Sequence, residues 1–100
     1  MAVELHWSDE GLAELEAVFD YISADSPEAA KAYVNRIRQT CEKLSAFPEM
    51  GRIYDPQYRV LVIDNHLALY RYDRTRQEVT IVKVIDGRRD VAQMLRDLKS

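Results

Sequence analysis

The sequence predicts an α+β fold: a small antiparallel β-sheet packed against an N-terminal helical hairpin, in the order β-α-α-β-β-β-α. Three observations carry this. Apolar residues recur at helical spacing in two consecutive stretches before Pro48, the period drops to two from Tyr58 onward, and Asp25-Ser26-Pro27-Glu28 leaves only a tight turn between the helical stretches. With 100 residues, 47% of them hydrophobic and 31% charged, the chain fits one domain covering residues 1–100.

The first strand is read from Val3, Leu5 and Trp7 alternating with Glu4 and His6. Ser8 and Asp9 offer side-chain oxygens to a helix start, and Leu12, Leu15, Val18, Phe19 and Ile22 then mark one face of a helix from about Asp9 to Ala24. Its acidic first turn suits the positive end of the helix dipole. Ser26 is the expected cap of the second helix, with Pro27 at the first position, where a missing N–H costs nothing. Ala30, Tyr33, Val34, Ile37, Cys41 and Leu44 form its inward stripe, which ends near Ala46 because Pro48 disfavours helical geometry at Phe47.

A loop is expected from Pro48 to Gln57, followed by strands over Tyr58–Ile63, His66–Tyr72 and Glu78–Ile85. Asp64-Asn65 suits a two-residue hairpin turn, and Asp73 to Gln77 is a polar connection of hairpin length. In the last strand Val79, Ile81 and Ile85 are expected on one face and Val82 and Val84 on the other, which makes it central. Asp90 caps a final short helix bearing Val91, Met94, Leu95 and Leu98, which is expected to cover the second sheet face.

Charge is unevenly distributed. Residues 1–50 carry four Lys/Arg against ten Asp/Glu, and residues 51–100 carry ten against seven, within a net charge of −3. An overall acidic chain is not built to coat nucleic acid, and an anionic partner is expected to meet the second half. The longest apolar runs, such as Val60-Leu61-Val62-Ile63, are too short to cross a bilayer, and the N-terminus lacks the pattern of a secretory signal. A cytoplasmic location and no membrane partner are therefore expected. A lone cysteine, Cys41, excludes disulfides and lies on an apolar helical face, where a thiol serves as a small core residue.

The side chains available for chemistry are few. His6 and His66 have no second ligand at metal-like sequence spacing, so no metal or other cofactor is expected. The serines lie at helix ends or the terminus, without a histidine matched to them, and Gly11, Gly51 and Gly87 are isolated, so neither a serine triad nor a phosphate-cradling loop is expected. What remains is a group of arginines, Arg52, Arg59, Arg71, Arg88 and Arg89, interleaved with Tyr58, Tyr70 and Tyr72. Arginine forks bind phosphate and aromatic rings stack on bases, while arginines on strands also pair with carboxylates such as Asp64, Asp73, Asp86 and Asp90.

Ala29-Ala30, Phe47-Pro48-Glu49-Met50-Gly51-Arg52, Tyr58-Arg59, Leu69-Tyr70-Arg71 and the run from Val82 to Asp90, together with Trp7-Ser8 and the leucines Leu12 and Leu15, resemble the RelE/ParE superfamily of toxins from bacterial type II toxin-antitoxin systems. The resemblance spans nearly the whole chain. It implies a toxin neutralised by a ParD- or RelB-like antitoxin, which itself binds the operator DNA.

Two activities divide that superfamily: RelE-like members cut mRNA on the ribosome without a metal, and ParE-like members poison DNA gyrase by binding. Under a RelE-like assignment the catalytic candidates are Arg59, Arg71, Arg88 and His66. The central-strand arginine position of that pattern falls near Ala68, its tyrosine near Met94, and no lysine occupies the first strand of the meander. Leu69-Tyr70-Arg71 and the closing Val84-Ile85-Asp86-Gly87-Arg88-Arg89-Asp90 look ParE-like, with Asp86 where a histidine is frequent. The expectation is accordingly a gyrase poison that is not itself an enzyme, with Arg88, Arg89, Met94 and Leu95 as target-binding residues. Leu12, Glu14, Glu16, Phe19 and Arg71 are expected to meet the antitoxin. A ribosome-dependent nuclease is the alternative, and a toxin-like binding partner that has lost its poison is a third.

Overall fold

A computed structural model describes residues 2–88 together with Gln93 and Arg96. Its elements are β1 (Glu4–Trp7), α1 (Asp9–Ser23), α2 (Pro27–Glu42), a 3₁₀ turn (Lys43–Ser45), β2 (Arg52–Ile53), β3 (Arg59–Ile63), β4 (His66–Asp73) and β5 (Glu78–Asp86). The α+β architecture is the expected one, with a helical hairpin lying on a sheet. Gln93 and Arg96 are helical, and the rest of the expected last helix lies outside the described residues.

Both helices begin where their caps place them. Ser8 Oγ accepts from the Gly11 N–H and Ser26 Oγ from the Ala29 N–H, each satisfying a first-turn donor that has no partner within the helix. Pro27 occupies the first turn of α2. The helix gives way to the 3₁₀ turn after Glu42, a little before the expected stop, and Ala46 and Phe47 donate to the Lys43 carbonyl.

The sheet order is β1-β5-β4-β3-β2. The β2/β3, β3/β4 and β4/β5 pairs are antiparallel, whereas β1 runs parallel to β5, so the sheet is mixed rather than wholly antiparallel. The reason is topological: β1 is separated from its partner by the helical hairpin and the whole meander, a connection long enough to bring a strand back in the parallel sense. Two-residue β2 falls in the stretch expected to be loop, pairing Arg52 with Val60 and Ile53 with Arg59. The Asp64-Asn65 turn joins β3 to β4, and Asp64 takes the positive φ of 53° that such a turn needs.

β5 is central and apolar on both faces, but its side chains distribute differently from simple alternation. Tyr70 pairs with Ile81 and Leu69 with Lys83, so Val82 is an extra residue and the strand bulges. Val84 therefore rejoins Val79 and Ile81 on the helix side, in a core with Leu15, Ile37, Cys41, Leu44, Leu61, Ile63, Ala68 and Tyr70. Val82 turns to the opposite face, with Tyr58, Val60 and Leu69.

Candidate functional site

Past Trp7, β1 no longer covers β5, and α1 takes its place along that edge. Ser8 N–H donates to the Ile81 carbonyl at 2.9 Å and Ser8 Oγ to the Val82 carbonyl at 2.8 Å. Nearly two turns later Glu14 Oε1 accepts from the Val84 N–H at 2.9 Å, as a neighbouring strand's carbonyl would. Glu10 and Glu14 also pair with Lys83 Nζ, whose side chain is only 10% exposed. Burial pulls the Lys83 ammonium down, but its bonds to Glu10 and Glu14 outweigh that and hold it above its ordinary value. Glu14, expected at the antitoxin surface, is thus bound within the molecule. Glu16 is exposed, Leu12 is 41% exposed and Phe19 is half-buried.

Where α1 leaves β5, a cleft of about 990 Å³ opens between the helical hairpin and the far end of the sheet. Val18 and Tyr21 of α1, Tyr33 of α2, His66 of β4 and Arg88 line it. Tyr33 Oη lies 2.6 Å from His66 Nδ1, with the rings edge to face at 5.4 Å between centroids. Burial lowers the His66 imidazole below its ordinary value, Asp86 acts against that and Arg88 with it. The hairpin turn is tied down twice, by Arg36 to Asp64 and by the Gly87 N–H to the Asn65 carbonyl.

At the lip of the cleft Asp86 grips Arg88. Asp86 Oδ1 accepts from the Arg88 backbone N–H and Nε, and Oδ2 from Nη2 at 2.7 Å. Arg88 holds the Asp86 carboxyl well below the usual carboxylate range, and the guanidinium remains 91% exposed. A bidentate clip of this kind fixes the direction of the fork while leaving its outer face free for a partner. Arg89, Met94 and Leu95, the other expected target-binding residues, lie outside the described residues.

Arg59 is committed elsewhere, its Nη1 donating to the Glu49 and Gly51 carbonyls and so holding the loop before β3. The same loop is anchored by Tyr70, whose buried hydroxyl donates to the Pro48 carbonyl at 2.8 Å and accepts from the Gly51 N–H at 2.9 Å. Tyr70 is therefore a core residue and not a ring available to a base. Arg71 lies on the face away from the helices, in a groove of about 630 Å³ with Arg74, Arg76 and Tyr58. His66 and Arg88 share the cleft, but Arg59 stands opposite Tyr70 while His66 stands opposite Ile63, four residues along the hairpin, about 13 Å at the usual strand rise. The catalytic candidates of the nuclease alternative are not gathered into one site.

Cys41 is fully buried and its thiol is pushed up to about 12, chiefly by that burial, which makes it inert as expected. Sequence spacing missed Lys83, whose lone charge inside an apolar strand was the available signal. It also missed the approach of Glu4, His6 and Glu78, because the parallel β1/β5 pairing that joins them is not written in local periodicity.

Residues 5–91 match the family of the ParE toxin of the type II toxin-antitoxin system parDE. The chain is 33% identical to Toxin ParE3 of Caulobacter vibrioides over 86 residues, covering 82% of this chain and 84% of that protein. It is 37% identical to Toxin RelE2 of the same bacterium over 57 residues, which spans 57% of this chain and 65% of that toxin, a little under two thirds of its length. Among solved structures, the chromosomal ParDE system of P. aeruginosa has a chain that superposes with a TM-score of 0.73 at 25% identity, over 85% of this chain and 96% of that one. Free E. coli toxin RelE, in a variant form, shares the fold with a TM-score of 0.68 at 13% identity, over 97% and 93% of the two chains. Motif order, fold and these similarities agree: the chain belongs to the ParE toxin family of type II toxin-antitoxin systems, within the RelE/ParE superfamily.

Proposed function

We propose that this toxin stops growth by binding DNA gyrase in the bacterial cytoplasm and is held inactive by a cognate ParD- or RelB-like antitoxin. The observation that carries the gyrase reading is the dispersal of its described basic groups. Arg59 braces a loop, Arg71 lies on the opposite sheet face, and only Arg88 and His66 meet. A metal-free ribonuclease needs proton-transfer and phosphate-stabilising groups converging on one phosphodiester. A binding poison needs a presented surface, and Arg88, exposed on its Asp86 clip, is the described residue that offers one; Arg89, Met94 and Leu95 are proposed beside it from their place in the sequence alone. The antitoxin is assigned to Leu12, Glu16 and Phe19 on the acidic outer side of α1 and to Arg71, with Glu14 holding that helix from inside. Similarity to RelE2 favours mRNA cleavage as a second reading, centred on His66 and Arg88.

Expression of the chain alone, with DNA and protein synthesis followed separately by labelled precursors, separates these readings. DNA synthesis is expected to fall first. Early loss of protein synthesis would overturn the gyrase assignment in favour of the nuclease, and undisturbed growth would leave only a toxin-like binding partner.

A further inference from the structure

Glu4 and His6 sit two apart on β1 and so share a face. Leu5 and Trp7, which alternate with them, pack into the helix-side core, which puts Glu4 and His6 on the other side of the sheet. Glu78 opens β5 as the register partner of Glu4, and their strands are neighbours in the parallel pair. One ligand atom from each of Glu4, His6 and Glu78 lies within 4.8 Å of the others, with His6 Nε2 3.7 Å from Glu4 Oε1. We propose that these three side chains form a binding site for a divalent transition-metal cation, with zinc as the type.

The chemistry of the set favours this class. One imidazole and two carboxylates suit zinc, cobalt or nickel, whereas magnesium and calcium prefer oxygen alone. Metal–ligand bonds of about 2.0–2.2 Å tolerate ligand atoms up to about 4.4 Å apart, so a small rotation of the exposed Glu4 and His6 side chains closes the set. The register supplies an independent reason. Glu78 has Glu4 as its partner on one side and Asp73 on the other, a row of three carboxylates across three strands. Like charges directly opposite one another repel, and a cation between Glu4 and Glu78 removes that repulsion. The bound ion would bridge β1 to β5 and stabilise the pairing that fastens the N-terminal strand to the sheet.

The test is calorimetric titration of the tag-free chain of residues 1–100 with zinc chloride, alongside cobalt chloride followed by its visible absorption. One saturable equivalent is expected, with a zinc-dependent rise in the thermal midpoint. His6→Ala and the near-isosteric Glu78→Gln should each weaken binding at least tenfold, while His66→Ala should not change it, and circular dichroism should show all three variants folded. Absence of saturable binding, unchanged affinity in folded His6→Ala and Glu78→Gln, or magnesium binding as tightly as zinc would overturn the assignment.

Discussion

At the scale of single residues, Tyr70 shows how one polar atom fixes a loop. Its hydroxyl is the acceptor for the Gly51 N–H and the donor to the Pro48 carbonyl, inside a side chain with no exposed surface. Gly51 is required beside it, since a Cβ there would stand 2.7 Å from the ring. Tyr70→Phe strands a buried donor and should cost about 1–3 kcal/mol in chemical denaturation, with the helices intact by circular dichroism. His66 gives a pH-dependent term. Because burial lowers its pKa in the folded protein, the unfolded chain takes up the proton first. Its effect is absent above about pH 6.5, and the folded state loses stability as pH falls below that, until the folded imidazole is also protonated. His66→Gln should therefore flatten the urea midpoint measured between about pH 6.5 and 5. A variant keeping the wild-type slope would assign that loss to other groups.

At the scale of elements, α1 serves as both a packed helix and a substitute strand. Leu15 enters the core while Glu14 accepts from the Val84 N–H on the edge that β1 leaves open. Glu14→Ala removes that acceptor and a Lys83 partner together, and should cost about 1–3 kcal/mol. Glu14→Gln keeps a carbonyl for the Val84 N–H and should recover part of the loss; equal loss in both would put the whole effect in the charge. These elements were largely legible from sequence, because Ser8, Ser26-Pro27 and the change of apolar period are local signals. The parallel β1/β5 pair was not, since nothing near Glu4 or Glu78 in sequence specifies a partner more than seventy positions away. The same gap hid the Lys83 pairs and the Glu4-His6-Glu78 group. Nor could alternation foresee that Val84 would part from Val82 and join Val79 and Ile81 on the helix side, which follows from the bulge opposite Leu69 and Tyr70.

For the whole molecule, the charge asymmetry acquires a spatial meaning. The acidic first half presents the outer side of α1, and part of its charge is spent on Lys83, while the arginine-rich second half presents Arg88 at the cleft and Arg71, Arg74 and Arg76 in the groove on the other sheet face. Two oppositely charged surfaces suit the two partners proposed for it, an antitoxin and a cellular target. Family membership is carried by the order of motifs and the fold; the choice of target rests on where the basic side chains stand. The most direct measurement is supercoiling by purified DNA gyrase with the purified chain added in increasing amounts, in parallel with mRNA integrity in a translating extract. The account predicts dose-dependent loss of supercoiling, relieved by Arg88→Ala, and intact mRNA. Unimpaired supercoiling with cleaved mRNA would contradict it.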